Sequence, residues 1–340
     1  MTLELERAEA GAAISEIPVL DIGAYLAGKP GAAETLARDL ARIQQEVGFY
    51  YVINHGVDMD LIARGYGELA RFFAQPAEEK VKVRVDRMGP GWIPAKSSIY
   101  VTSPVNKNTK PDLNEALALV NERPDGHPDL AAGLRFIGPN KWPSLPGFRE
   151  TIGACHAQLA RLTRDMLPLY ALALGKPADW FARHFAEPMW TTRNAWYPAV
   201  DAEENQFGIS PHQDHGFITA LPVSEVPGLQ IRTRDGRWLS AQTLPGGILV
   251  NTGEFLNRWT NGRFIATPHR VMPPARDRYS MALFFNPSPR TVADPKDFAR
   301  PGEDLKYEPI SMHDYLCWYF DRNFSKSAGG DQDQATAAKA

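Results

Sequence analysis

Downstream of Pro188 the chain is written in short apolar or alternating runs, "TRNAWYPAV", "FITALPV", "GLQIR", "GILVN", "PHRVM" and "YSMALFFNP", separated by Gly, Pro or Asn-Gly punctuation. Runs this short cannot build long helices. Their recurrence every 8 to 20 residues or so predicts an antiparallel sandwich or barrel, with a jelly roll as the expected member. The fold class is therefore read as mainly β with flanking helices, the helices belonging chiefly to the first half of the chain.

In that first half, Leu36, Leu40, Ile43 and Val47 recur at spacings of four, three and four, which predicts an amphipathic helix over 32–47 ended by Gly48. An apolar "FYYVI" follows and reads as a strand stopped by the turn formers of "NHG". Further helices are predicted over about 59–73 and 146–174. Between them "RMGPGWIPAKSSIYVTSPVNKNTKPDLNEAL" is rich in Gly, Pro, Ser and Asn and reads as a long irregular crossing. The expected organisation is a flexible N-terminus (1–16), a helix-rich region (17–187), a jelly-roll core (188–300), a C-terminal helical segment (301–324) and a disordered tail (325–340).

The charge balance, 37 Lys plus Arg against 40 Asp plus Glu, gives no basic field to attract nucleic acid or an anionic membrane. No run is long and apolar enough for a transmembrane segment or signal peptide. A cytoplasmic protein with a small-molecule partner is expected; oligomeric state is not legible. The two cysteines, Cys155 and Cys317, lack metal or dithiol spacing and read as ordinary thiols.

The chemistry concentrates in "PHQDHGFITAL" (Pro211 to Leu221), where His212, Asp214 and His215 abut an apolar run. In a strand, positions i and i+2 share a face, so His212 and Asp214 can aim an imidazole and a carboxylate at one point while Gln213 and His215 turn away. His269 stands 55 residues beyond Asp214 at the start of another apolar run. Two imidazoles and one carboxylate leave three positions open on an octahedral ion, the facial arrangement of non-haem Fe(II) sites. Zinc with the same donors is the alternative and would favour hydrolysis. Nine residues beyond His269, Arg278 and Ser280 form another i, i+2 pair, projecting a guanidinium and a hydroxyl from an apolar strand. A buried arginine needs an anion, either the carboxylate of a bound ligand or a distant Asp or Glu.

Together these residues resemble the 2-oxoglutarate and Fe(II)-dependent dioxygenases of the isopenicillin N synthase-like group. The resemblance extends over "IPVLDIGAYL", "VGFYYVINHGV" and "FFAQPAEEK" in the helical part, and over "RNAWYP", "GLQI" and "PGGILVNTGEFLNRWTNGRFIATPHRV" in the barrel. It implies a double-stranded β-helix, that is, a jelly-roll core, with His212, Asp214 and His269 ligating Fe(II). It also implies 2-oxoglutarate and O2 as co-substrates, the distal carboxylate of 2-oxoglutarate being held by Arg278, Ser280 and Tyr197. Tyr197 matches the second tyrosine of the group's Asn-Tyr-Tyr-Pro pattern, which here reads Ala195-Trp196-Tyr197-Pro198; Asn194 is displaced and faces the wrong way to replace the missing asparagine. The implied activity is oxidation, most simply hydroxylation, of a small-molecule C–H bond with release of succinate and carbon dioxide. Two alternatives remain at this point: an Fe(II) oxidase or cyclase that needs no 2-oxoglutarate, and a non-catalytic small-molecule-binding barrel. His55 is expected to be a hydrogen-bonded turn residue; His127, His156, His184 and His313 have no partner at ligand spacing. Trp92, Tyr100 and Asn114 are the candidates for the substrate pocket, whose occupant the residues do not spell out.

Overall fold

The computed structural model describes residues 17–324. In chain order the elements are β1 (Val19–Asp21), α1 (Gly23–Leu26), α2 (Ala32–Glu46), β2 (Phe49–Ile53), α3 (Met59–Phe73), α4 (Ala77–Lys80), β3 (Gly91–Ile93), β4 (Glu115–Val120), α5 (Pro128–Ala131) and α6 (Phe148–Ala173). The second half supplies β5 (Met189–Tyr197), β6 (Ile209–His212), β7 (Ile218–Pro222), β8 (Leu229–Arg232), β9 (Trp238–Ser240), β10 (Ile248–Thr252) and α7 (Glu254–Trp259). It ends with β11 (His269–Val271), β12 (Arg278–Asn286), β13 (Val292–Ala293), β14 (Ile310–Ser311) and α8 (Met312–Phe324). The flexible N-terminus and disordered tail expected for 1–16 and 325–340 lie outside the described residues.

Two sheets face each other. The larger has the order β1-β2-β10-β7-β12-β5-β4-β3 and the smaller β6-β11-β8-β9, the non-consecutive neighbours of a jelly roll. Half of the larger sheet comes from the first half of the chain. The crossing expected to be irregular contains β3 and β4, and β4 pairs along its whole length with β5, Glu115 opposite Trp196 through Val120 opposite Thr191. The apolar run "ALALV" closes that crossing, and pairing with an existing strand is what satisfies its buried backbone.

Strand alternation divides the core in two. Met281, Leu283 and Phe285 of β12, with Ile218 and Ala220 of β7, face the helices and pack in one cluster with Leu36, Leu40, Leu69, Phe72, Leu159 and Leu162. Each such buried side chain contributes about 1.5–3 kcal/mol relative to exposure. The opposite faces turn inward between the sheets, where Phe49, Ala195, Tyr197, Ile209, Leu229 and Val271 form a second cluster. Residues of β5 and β12 with the other parity, among them Arg193, Tyr197, Arg278 and Ser280, therefore line the interior of the roll.

α2 ends where Val47 and Gly48 donate their N–H groups to the carbonyl of Ile43, with Gly48 at φ 72° in the left-handed region. A side chain there would also collide with the Ile265 carbonyl, 2.7 Å from an ideal Cβ, so this glycine lets α2 dock beside the segment leading to His269. No helix among the described residues is long and apolar enough to cross a membrane.

Candidate metal centre

His212 closes β6 and His269 opens β11, and the two residues are direct partners in the antiparallel ladder. That pairing, beside a register irregularity between His269 and Val271, places their rings 4.3 Å apart. Asp214 is not in a strand, contrary to the expectation of an i, i+2 pair on one extended run. It lies in the connection from β6 to β7, where Glu254 N–H donates to its backbone carbonyl at 2.7 Å, and Phe255 N–H to that of Gly216. This clamp requires Gly253, whose missing Cβ would otherwise strike the Gly216 backbone. The outcome matches what alternation alone would have given. One Asp214 oxygen, Oδ1, stands 3.8 Å from His212 Nε2 and 3.5 Å from His269 Nε2, and one donor atom from each residue falls within 4.8 Å of the others.

The remaining atoms of the three side chains are all committed. His212 Nδ1 bonds the Ser210 carbonyl at 2.8 Å and His269 Nδ1 the Thr267 carbonyl at 3.1 Å. A carbonyl can only accept, so each Nδ1 carries the proton and each Nε2 presents a lone pair to the shared point. Asp214 Oδ2 accepts from Thr219 Oγ1 at 2.6 Å and from Asn251 Nδ2 at 2.7 Å, leaving Oδ1 for the same point. Tyr100 stacks on His212 with centroids 4.4 Å apart, and Phe49 meets His269 edge-on.

Burial, with His269 adding to it, pushes the His212 imidazole down to about 3, so it is neutral near pH 7. Burial alone would raise the Asp214 carboxyl, but the two histidines and Thr219 hold it well below the ordinary carboxylate range. Burial also opposes protonation of His269, yet Asp214 outweighs it and raises that imidazole. The donor set, two aromatic nitrogens and one carboxylate oxygen, is one that could hold a non-haem Fe(II) ion.

Arg278 is 3% exposed, and among the described residues no carboxylate neutralises it. Its Nε donates to the Val226 carbonyl at 3.2 Å, its guanidinium lies over the Tyr197 ring at 4.9 Å, and Nη1 is buried with no partner. The internal ion pair left open by the sequence is thus absent among the described residues. Ser280 Oγ and Tyr197 Oη are 3.5 Å apart beside it. All three side chains line the same cavity of about 520 Å³ as His212, Asp214 and His269, a volume suited to small ligands.

Several residues depart from expectation. His215 does not turn away: because Asp214 to Gly216 is not extended, its buried ring faces the cavity among Phe284, Tyr319 and Phe320, with burial lowering it to about 4. It is not part of the three-donor cluster. Of the pocket candidates, Tyr100 lines the cavity; Asn114 stands behind it, accepting from Arg193; Trp92 instead donates to Glu115. Asn194 turns outward to His156. His55 is the turn residue expected, bonding Gly246 and Val57. Gln213 turns to the Ala266 carbonyl.

Asp112 was not foreseen. It is fully buried, accepts from Ser210 N–H at 2.9 Å and Ser210 Oγ at 2.6 Å, and thereby fixes the residue whose carbonyl orients His212. Its Oδ2 has no partner, and burial pushes its carboxyl up to about 7. A carboxyl raised in the folded state favours folding below its unfolded value near 4, and that contribution is lost as pH rises through 7. Asp112→Asn keeps an acceptor for Ser210 and removes the titration. The unfolding free energy of the wild type should therefore fall by a few kcal/mol relative to Asp112→Asn between about pH 4 and 7, measured by denaturant titration.

Residues 17–145 match the profile described as non-haem dioxygenase in morphine synthesis N-terminal, and residues 185–287 that of the 2OG-Fe(II) oxygenase superfamily. A 2-oxoglutarate-Fe(II) type oxidoreductase of Emericella nidulans is 30% identical over 336 residues, covering 95% of each chain. A homoarginine-6-hydroxylase of rice is 30% identical over 324 residues, covering 90% of this chain and 97% of its own. Among solved structures, a full-length Neurospora crassa protein in complex with alpha-KG superposes with a TM-score of 0.77 at 27% identity, covering 90% of this chain and 98% of that one. The chain is a non-haem oxidoreductase of the isopenicillin N synthase-like group, dependent on Fe(II), 2-oxoglutarate and O2, and it belongs to the 2OG-Fe(II) oxygenase superfamily.

Proposed function

We propose that this dioxygenase hydroxylates an unactivated C–H bond of a small molecule, with His212, Asp214 and His269 holding the iron and Arg278, Ser280 and Tyr197 holding the distal carboxylate of 2-oxoglutarate. The observation that carries the reading is that three converging lone pairs and an unneutralised, buried guanidinium line one cavity. When bound, Fe(II) supplies the electrons by which dioxygen is activated as 2-oxoglutarate is oxidatively decarboxylated to succinate and carbon dioxide.

The chain's own residues do the rest. Thr219 and Asn251 hold the Asp214 carboxylate in one rotamer, and the carbonyls of Ser210 and Thr267 fix both imidazoles in the tautomer that offers Nε2. Arg278 offers a planar fork that matches a carboxylate at two points, with Ser280 and Tyr197 adding hydroxyls. Leu119, Phe136 and Phe284 give the cavity apolar walls that exclude water from the reacting atoms. Small-molecule substrates suit this volume, and the thymine complex of the Neurospora crassa protein and the name of the rice hydroxylase point the same way. The test is succinate formation from 2-oxoglutarate by the protein supplied with Fe(II) and O2 but no primary substrate. Slow, iron-dependent, oxygen-dependent succinate release is expected. Its complete absence, or substrate oxidation that proceeds without 2-oxoglutarate, would overturn the reading.

A further inference from the structure

We propose that Arg193 is a specificity-determining residue that receives a carboxylate of the primary substrate, so that the enzyme acts on a small anionic molecule with an apolar body. The inference rests on the functional reading above and names the substrate class of that same cavity.

Arg193 lies on the interior face of β5, four residues before Tyr197, and pairs with Ala282 where Tyr197 pairs with Arg278. At about 3.3 Å per residue the two arginine positions are separated by roughly 13 Å along the sheet, so their guanidinium groups serve different parts of the cavity. Arg193 is at the metal end: its charge bears on the His212 imidazole and the Tyr100 hydroxyl. Its Nη2 donates to Asn114 Oδ1 at 2.7 Å, and its Nε is buried without a partner. Asn114 is neutral and itself held, donating to the Gly208 carbonyl, so it fixes the fork without cancelling its charge. Among the described residues no carboxylate comes within ion-pair distance of Arg193. Asp112, the acid that bears on it electrostatically, spends one oxygen on Ser210 and makes no ion pair with it. A cation so placed is costly unless an anion arrives.

The route to it is cationic as well. Arg84 and Arg87 stand exposed at the cavity mouth without an ion pair among the described residues, whereas Asp86 is held by Lys141 and Asp321 by Arg135. A mouth with this excess draws anions inward. The apolar walls between mouth and metal, including Ile93, Leu119 and Phe136, suit the remainder of such a ligand.

The probes are phenylacetate and 4-phenylbutanoate, each compared with its primary amide by calorimetry on protein loaded with Mn(II) and 2-oxoglutarate. The wild type should bind at least one acid about tenfold or more tightly than its amide. Arg193→Gln should bring that ratio close to one, and Arg193→Lys should keep most of it. Absence of acid binding, an amide bound as well as its acid, or a preference that survives in Arg193→Gln would each overturn the proposal. So would a loss of 2-oxoglutarate affinity in Arg193→Gln with the acid preference intact, which would make Arg193 a co-substrate residue. If Arg193→Gln does not fold, Arg193→Met, which also removes the charge, is read in its place, and an acid preference that survives there would overturn the proposal. Failure of the wild type to turn 2-oxoglutarate into succinate would strike the underlying function instead, while the acid preference would be read separately.

Discussion

Replacing His212 or Asp214 by alanine is expected to abolish stoichiometric Fe(II) binding and to reduce succinate formation to under about 1% of wild type, with the fold retained. Changing a group that merely orients a metal ligand costs about 10–100-fold in affinity or activity, so removing a direct donor should cost more. Both side chains line the cavity, so truncating them enlarges a space that is already open, and the fold should survive. Equilibrium dialysis reads the iron directly. Thermal unfolding gives a second measure, because metal at a hundredfold excess over its dissociation constant contributes about 2.7 kcal/mol that the variants should lack. Thr219→Val, which removes one of two donors to Asp214 Oδ2, should fall between wild type and the alanine variants. Affinity should also weaken in acid, since the metal competes with the proton that Asp214 helps His269 to hold. An alanine variant with normal iron content and turnover would show that the three donors serve another purpose.

The sequence was most informative where local periodicity and chemistry coincide. α2 and α3 run over the residues that the apolar spacing predicts, and the barrel follows from punctuated short runs, because both signals are set by nearest neighbours in the chain. His212 and His269 become partners through the ladder register, a long-range fact that the sequence could offer only as two similar strand ends. Asp214 reached the expected point by an unexpected route: a loop clamped to the start of α7 does the work assigned to strand alternation. β3 and β4 were hidden because Gly, Pro and Asn dominate the segment around them, and pairing with β5 on one side and β3 on the other makes "EALALV" a strand. Asp112 carried no motif, Arg193 opened the "RNAWYP" match with no role attached to it, and His215 was expected to turn away. A lone arginine in an alternating run reads as solvent-facing, and a lone aspartate in a Pro- and Lys-rich crossing reads as loop. Their importance comes from what surrounds them after folding, namely a cavity, a neutral partner and an unpaired nitrogen or oxygen.

Arg278→Met should raise the concentration of 2-oxoglutarate needed for half-maximal turnover by about 100-fold or more, and Arg278→Lys by about tenfold or more. Truncating one side of a buried charge pair costs about 2–5 kcal/mol, and replacing a two-point fork by a single ammonium forfeits one charge-assisted bond of about 1.5–3 kcal/mol. The stability of the ligand-free protein should move the other way. With no carboxylate beside it, the buried guanidinium is a cost that folding bears in the absence of ligand, as its partnerless Nη1 shows. Methionine fills much of the same space without charge, so Arg278→Met should unfold at a temperature equal to or above that of the wild type when 2-oxoglutarate is absent. Added 2-oxoglutarate should then raise the melting temperature of the wild type but not of this variant. The opposed signs separate a ligand-binding arginine from a structural one: a guanidinium that held the sheet together would destabilise the ligand-free protein when removed. A ligand-free Arg278→Met that melts well below the wild type, or one that still gains stability from 2-oxoglutarate, would place the carboxylate elsewhere in the cavity.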